Sequence, residues 1–142
     1  MTSVSGRSKL SSLILTVVLA GAVGFGTWFA PSEVQARDSD GSRLGASEQK
    51  LGTTRDDTLN PPDDRADWRY IQIKEAKTVR FSLDVKPTDK SADLTVTRAT
   101  GDELETSSTE EGSAEIERKL DPGIYYVEVT SSSKVSYSLR IE

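Results

Sequence analysis

The feature that most constrains the fold of this chain is the strict alternation of apolar and polar side chains in its second half. In residues 78–85 every second side chain is apolar, from Val79 to Val85, and residues 135–141 repeat the pattern. Successive side chains of a strand point to opposite faces, so this alternation predicts strands with one buried face and one face in water. Such strands are typical of antiparallel sheets.

Turn-forming residues separate the alternating runs at near-regular intervals. Pro87, Gly101, Gly112 and the pair Pro122-Gly123 lie between successive runs, and no segment after residue 36 has a convincing helical period. Several short strands spaced in this way favour a sandwich or a barrel. We therefore predict an all-β fold, a small antiparallel β-sandwich. The strands, about seven in number, are predicted at residues 68–74, 77–85, 92–99, 103–108, 113–119, 124–130 and 134–141.

The first 36 residues have the pattern of an export signal. Arg7 and Lys9 precede an apolar stretch, residues 10–30, and Ala36 ends a segment suited to cleavage by signal peptidase. This pattern predicts a secreted or periplasmic protein. The apolar stretch is also close to the roughly 20 residues that span a bilayer, so an uncleaved anchor in the inner membrane is the alternative. In that case alone the protein would have a membrane partner, and its folded domain would still lie outside the cytoplasm.

Between the signal and the strands lies a polar segment. Residues 37–66 are rich in Asp, Ser, Gly, Arg and Thr, and their large apolar residues are limited to Leu44, Leu51 and Leu59. With no strand or helix period, the segment is expected to be a flexible polar linker. The folded domain is then predicted at residues 67–142.

Composition excludes several classes of function. The chain has no His and no Cys, which removes the usual neutral-pH base, the commonest metal ligand and all thiol chemistry. It carries 18 basic and 23 acidic residues, a net charge of −5, without a basic run. Nucleic-acid affinity depends on neutralising phosphates, so a nucleic-acid partner is not expected. We predict a protein that is not an enzyme and has no organic cofactor.

Four sequence segments carry a resemblance to a known family. They are Asp67-Trp68, residues 92–96, the stretch from Leu120 to Val129 that contains Pro122-Gly123 and Tyr125-Tyr126, and residues 137–141. Together they resemble the bacterial pre-peptidase C-terminal domain. The resemblance implies a jelly-roll-like sandwich and a non-catalytic accessory role. Arg69 replaces the family's usual aromatic residue, and its position is therefore expected at the rim of the sandwich.

The resemblance also directs attention to acidic residues before the first predicted strand. Related sandwiches hold calcium near this junction, and Asp63, Asp64 and Asp67 supply the oxygen ligands that calcium requires. The alternative is a solvated acidic segment without a metal. Calcium is therefore the one metal for which the sequence offers candidate ligands.

Trp68 and Tyr126 are the candidate ligand-binding residues. Exposed aromatic side chains stack on sugars or on partner proteins, although large aromatics in a small sandwich are usually part of the core. The function predicted first is an exported accessory or binding module whose partner is a protein or a polysaccharide. The alternative is a structural or envelope-associated subunit that pairs through a sheet edge. A hydrolase using two of the glutamates between Glu103 and Glu117 is a remote third hypothesis.

Overall fold

The computed structural model describes residues 39–142, and these form a β-sandwich. Its strands are β1 (Ser47–Glu48), β2 (Thr53–Leu59), β3 (Ala66–Ile73), β4 (Lys77–Lys86), β5 (Asp93–Arg98), β6 (Glu103–Ser108), β7 (Ser113–Leu120), β8 (Gly123–Thr130) and β9 (Val135–Ile141). A single 3-10 turn at Arg43–Gly45 is the one helical element within this range. None of the described residues forms a helix long and apolar enough to cross a membrane.

The strands form two sheets. The five-stranded sheet has the order β1-β3-β8-β5-β6, and the four-stranded sheet has the order β2-β9-β4-β7. Every described pair is antiparallel except the short pairing of β1 with β3. The predicted all-β antiparallel sandwich is confirmed, and β3 to β9 match the seven predicted strands to within two residues at each end.

The core lies between the two sheets because each long strand buries every second side chain. On β9, Val135, Tyr137, Leu139 and Ile141 point inward, while the residues between them face out. The inward residues of β4, with Phe81 among them, pack into the same layer. The apolar residues of the alternating pattern therefore form the core, and the polar residues between them face the solvent.

The flexible linker predicted at residues 37–66 is corrected by the structure. β1 and β2 lie inside that segment, and β2 pairs with β9 from Thr53 opposite Ile141 to Leu59 opposite Val135. Only Leu59 of β2 is buried, because β2 is the outer strand of its sheet. An edge strand with one buried side chain shows no apolar alternation, which is why the sequence pattern missed it. The predicted signal, residues 1–36, lies outside the described residues.

The acidic segment around residues 103–117 is divided between the two sheets. β6 belongs to the five-stranded sheet and β7 to the four-stranded sheet, so the chain crosses from one layer to the other between them. Glu105 and Glu117 therefore belong to different sheets.

Candidate functional site

Three aromatic side chains meet on the outer surface of the five-stranded sheet. The ring centroids of Trp68 and Tyr126 are 6.4 Å apart with the rings inclined at 68°, and those of Tyr70 and Tyr126 are also 6.4 Å apart, inclined at 55°. All three side chains are half-buried. We call this cluster of Trp68, Tyr70 and Tyr126 the aromatic face.

The local sequence explains why these rings point outward. On β3, Asp67, Arg69 and Ile71 are buried, so Trp68 and Tyr70 fall on the opposite side of the strand. On β8, Tyr125 is buried and donates its hydroxyl to the Asp121 carbonyl at 2.9 Å, which leaves Tyr126 on the outer side. Tyr70 lies directly opposite Tyr126 across the two strands.

The structure brings together the two predicted ligand-binding residues and adds two that the sequence analysis missed. Tyr70 follows Trp68 by two positions and so shares its face; this spacing was a usable signal. Arg43 is the other addition, and its guanidinium carbon lies 4.3 Å from the centre of the Tyr126 ring. No sequence signal linked Arg43 to a strand more than 80 residues away.

Carboxylates border the aromatic face. Glu128 lies opposite Trp68 on the neighbouring strand and also opposite Thr95 on the other side. Partial burial, followed by the negative charge of Glu103, raises the pKa of Glu128 above its ordinary value. The surface therefore combines aromatic rings with negative charge.

A second group of polar side chains is buried inside the sandwich around Arg69. Its guanidinium forms ion pairs with Asp40 and with Asp57, the latter at 2.6 Å, and donates to the Ser47 hydroxyl at 3.1 Å. Arg69 is 1% exposed, so the expectation that it lies at the rim is wrong. A buried guanidinium requires carboxylate partners, and two come from the segment expected to be a linker.

Tyr137 and Asp67 extend this buried group. The Tyr137 hydroxyl donates to Asp67 Oδ2 at 2.5 Å, and Asp67 is fully buried. Burial above all, with the hydrogen bond and negative charge of Asp67, raises the pKa of Tyr137 far above its usual range. The tyrosine hydroxyl is therefore held in its protonated form as a donor to Asp67.

The structure separates the three candidate calcium ligands by environment. Asp67 points into the core toward Tyr137, whereas Asp63 and Asp64 line a surface pocket with Ser39 and Ser42. In residues 39–142, no three acidic side chains form a group that would hold a metal ion. Calcium binding by Asp63, Asp64 and Asp67 stays a prediction.

The outer surface of the four-stranded sheet is a polar groove with a different chemistry. It has a volume of about 890 Å³, and its wall includes Asp56, Asp84, Lys86, Ser136 and Ser138. Short hydroxyl and carboxylate side chains dominate this surface.

Comparison with known proteins identifies the class of fold. No protein-family model and no curated protein matches the chain. A pre-peptidase C-terminal domain of a collagenase from Bacillus anthracis superimposes with a TM-score of 0.62 and 18% identity, covering 68% of this chain and 94% of that domain. The described residues therefore have the fold of a pre-peptidase C-terminal domain, as the sequence resemblance predicted.

Two further solved structures are more distant in shape. CorA, a surface-associated copper-binding protein of Methylomicrobium album BG8, gives a TM-score of 0.48 and 10% identity over 68% of this chain and 98% of that one. PliG of Aeromonas hydrophila, a periplasmic inhibitor of g-type lysozyme, gives a TM-score of 0.42 and 10% identity over 68% of this chain and 97% of that one.

Proposed function

We propose that this protein is an exported, non-catalytic binding module that engages a protein or a polysaccharide through the aromatic face. The observation that carries the proposal is the meeting of Trp68, Tyr70 and Tyr126, half-buried, on the outer surface of a sheet. Aromatic side chains with one apolar side and one polar tip are enriched at binding surfaces. Their position outside the core leaves them available to a partner.

The absence of catalytic chemistry is part of the same proposal. The chain has no His or Cys, and the buried hydroxyl of Tyr137 is held by Asp67. Glu115 and Glu117 pair with Arg80 in solvent, where a carboxylate lacks the apolar cleft that a glycosidase acid requires. These features support an accessory role over the hydrolase hypothesis.

Export is proposed from the sequence of residues 1–36. N-terminal sequencing of the protein recovered from the culture medium and the cell envelope tests it. A mature chain beginning at Arg37 supports cleavage, whereas a chain retaining residues 10–30 in the membrane fraction supports the anchor.

The proposed alternative, assembly through a sheet edge, has less support because a side chain satisfies a backbone group on one edge strand of each sheet. On the edge strand β6, the Leu104 carbonyl accepts a hydrogen bond from Arg118 at 2.8 Å. On the edge strand β2, the Thr58 amide donates to Asp57 at 2.9 Å. Edge groups satisfied in this way are less available to an added strand.

The binding proposal is tested by affinity capture from the native envelope. The full chain is compared with Tyr126→Leu, and Arg140→Leu on the outer surface of the four-stranded sheet is the matched control. Each is assayed with and without a calcium chelator, after thermal melts have established that the variants fold. The same component should be retained by the parent and by Arg140→Leu and lost by Tyr126→Leu. Equal retention by all three chains would contradict the aromatic face as the binding surface.

Calcium is tested in the same samples. If Asp63, Asp64 and Asp67 bind it, calcium raises the melting temperature of the parent chain and not that of Asp63→Asn/Asp64→Asn. An unchanged melting temperature in millimolar calcium would remove the calcium hypothesis.

A further inference from the structure

The outer surface of the five-stranded sheet is divided into an aromatic part and a carboxylate part. Strand register places two rows of side chains across β3, β8, β5 and β6. The first row consists of Tyr70, Tyr126, Thr97 and Glu103. The second row consists of Trp68, Glu128, Thr95 and Thr106. The rings therefore lie on β3 and β8, and the carboxylates lie on β8 and β6, with two threonines on β5 between them.

A cation already occupies the aromatic part. The Arg43 guanidinium lies over the Tyr126 ring at 4.3 Å from its centre. The same guanidinium donates to the backbone carbonyls of Arg98, at 3.3 Å, and of Ala99. The face of an aromatic ring carries negative electrostatic potential and attracts a guanidinium. This surface thus has the two kinds of group, ring faces and acceptor oxygens, that recognise a cationic side chain.

The carboxylate part has no cationic partner among the described residues. Neither Glu128 nor Glu103 forms an ion pair with another residue of the range 39–142. The ion pairs in that range involve other acidic residues. Glu103 accepts a hydrogen bond from the Thr106 hydroxyl at 3.0 Å, which leaves its charge uncompensated. The pKa of Glu128 is raised by partial burial and by Glu103, as expected for like charges on one surface. A positively charged ligand would relieve this repulsion.

We propose that the aromatic face and Glu128 bind an arginine or lysine side chain of a partner polypeptide, and that Arg43 holds this site in the unliganded protein. The proposal rests on the proposed function, because it names the ligand chemistry of the same surface. A basic segment of the partner displaces the Arg43 guanidinium from Tyr126 and pairs with Glu128. Arg43 therefore competes with the partner within the same chain.

The ring geometry favours a cationic side chain over a flat sugar chain. A polysaccharide that stacks along a sheet needs several rings in one plane, whereas Trp68 and Tyr70 are inclined to Tyr126 by 68° and 55°. Inclined rings do not form a flat platform, and a compact cation needs only a single ring face.

The chain segment that carries Arg43 is fixed by Asp40, so the Arg43 side chain can leave the Tyr126 ring without unfolding the domain. Asp40, three residues earlier, pairs with the buried Arg69, and its carbonyl accepts the Trp68 amide at 2.8 Å. These contacts hold the segment in place without the Arg43 side chain. Arg43→Gln is therefore expected to keep the fold and empty the site.

The test uses capped hexa-arginine and hexa-glutamate peptides. They are titrated, at 0.15 M salt in non-ionic detergent, into the full chain carrying Trp28→Phe, in which Trp68 is the sole tryptophan and reports binding by its fluorescence. Hexa-arginine is expected to change the Trp68 emission, and hexa-glutamate is not. Arg43→Gln should tighten hexa-arginine binding about two- to fivefold, the factor that one exposed cation–π contact contributes.

The matched pair of charge variants separates a specific site from general attraction to an acidic protein. Glu128→Gln should weaken hexa-arginine binding about two- to fivefold, the range for a partly exposed ion pair. Glu115→Gln removes the same charge from the other sheet and should leave binding unchanged, because salt screens distant charges. Equal weakening by both variants would overturn the proposal.

The remaining outcomes distinguish this inference from the function on which it rests. If hexa-arginine leaves the Trp68 emission unchanged in both the parent and Arg43→Gln, the cation site is refuted. If Tyr126→Leu loses an envelope component that hexa-arginine does not displace from the parent, the binding module stands and the cationic ligand does not. If Tyr126→Leu retains that component, the aromatic face itself is refuted.

Discussion

A single buried side chain, Arg69, joins the part of the chain expected to be a linker to the core of the sandwich. It is the largest fully buried residue between Ser39 and Glu142, and its ion-pair partners Asp40 and Asp57 both precede the predicted domain boundary at residue 67. A buried charge is tolerated only when its partners are in place, because desolvation is costly. The three residues therefore act as one unit in stability.

Replacement of Arg69 should be strongly destabilising. Arg69→Met leaves Asp40 and Asp57 without their cation, and breaking a buried pair in this way costs about 3–5 kcal/mol. The matched control is Arg80→Met, which removes an exposed arginine that pairs with Glu117. Exposed pairs contribute little to stability, because water screens the two charges. Chemical denaturation of both variants measures the difference, and similar losses would contradict the assigned role of Arg69.

Ionisation of Glu128 should lower the stability of the folded protein at neutral pH. Its folded-state pKa is raised by burial and by Glu103, so the folded chain holds this proton more tightly than the unfolded chain does. This loss in the free energy of unfolding is absent below the pKa of the glutamate in the unfolded chain, ~4.3. It grows as the pH rises through the pKa of Glu128 in the folded chain. The gain in melting temperature on Glu128→Gln should therefore be larger at pH 7 than at pH 4. A gain in melting temperature that is independent of pH would show that ionisation of Glu128 does not destabilise the fold.

At the scale of elements, the segment from Asp40 to Leu59 belongs to the folded domain. β2 covers β9 along its whole length, Leu59 enters the core, and Gln49 donates to the Leu139 carbonyl at 2.9 Å. Since β2 forms one edge of the four-stranded sheet, its removal would expose the β9 backbone to solvent.

A chain that begins at residue 60 should lose cooperative folding. It lacks Leu59, whose burial contributes roughly 1.5–3 kcal/mol, and it leaves Arg69 without Asp40 and Asp57 at about 3–5 kcal/mol. Together these approach the whole stability of a small domain, typically ~5–15 kcal/mol. Calorimetry of residues 60–142 against residues 39–142 tests this. A sharp unfolding transition in the shorter chain would mean that the boundary at residue 67 was nearly right.

The contrast between β2 and β4 explains what the sequence could predict. β4 lies between two strands and buries one face, so its apolar residues alternate from Val79 to Val85 and the strand was predicted to within one residue. β2 buries only Leu59, and its remaining residues are polar, so its sequence is indistinguishable from a linker. The pairing that orders β2 comes from β9, some 80 residues later, and no local pattern encodes it.

The candidate site was predictable to the same extent. Alternation places Trp68 and Tyr126 outside once Tyr125 and Asp67 are known to face inward, and Tyr70 follows by the same rule. Arg43 was beyond prediction because its contact with Tyr126 depends on how the 3-10 turn lies over the sheet. Arg69 was expected at the rim because it replaces the family's usual aromatic residue, and its partners Asp40 and Asp57 were assigned to the linker.

At the scale of the whole molecule, stability rests on one shared layer of side chains. Leu139→Ala, in the central strand β9, should cost about 2–5 kcal/mol because it leaves a cavity between the sheets. Ser138→Ala changes the adjacent residue on the opposite side and should stay within ~0.5 kcal/mol. Equilibrium denaturation of this pair measures the difference. Equal effects would argue that the two sheets are not packed against each other.

The order in which the chain visits the two sheets governs when folding is possible. Apart from the step from β5 to β6, each successive strand passes to the opposite sheet, and the last strand, β9, lies between β2 and β4. The five-stranded layer is complete only when β8 is present, and the four-stranded layer only when β9 is present. Folds built from such distant pairings form slowly. With β1 to β6 alone, each sheet still lacks an inner strand, so residues up to Ser108 are not expected to fold by themselves.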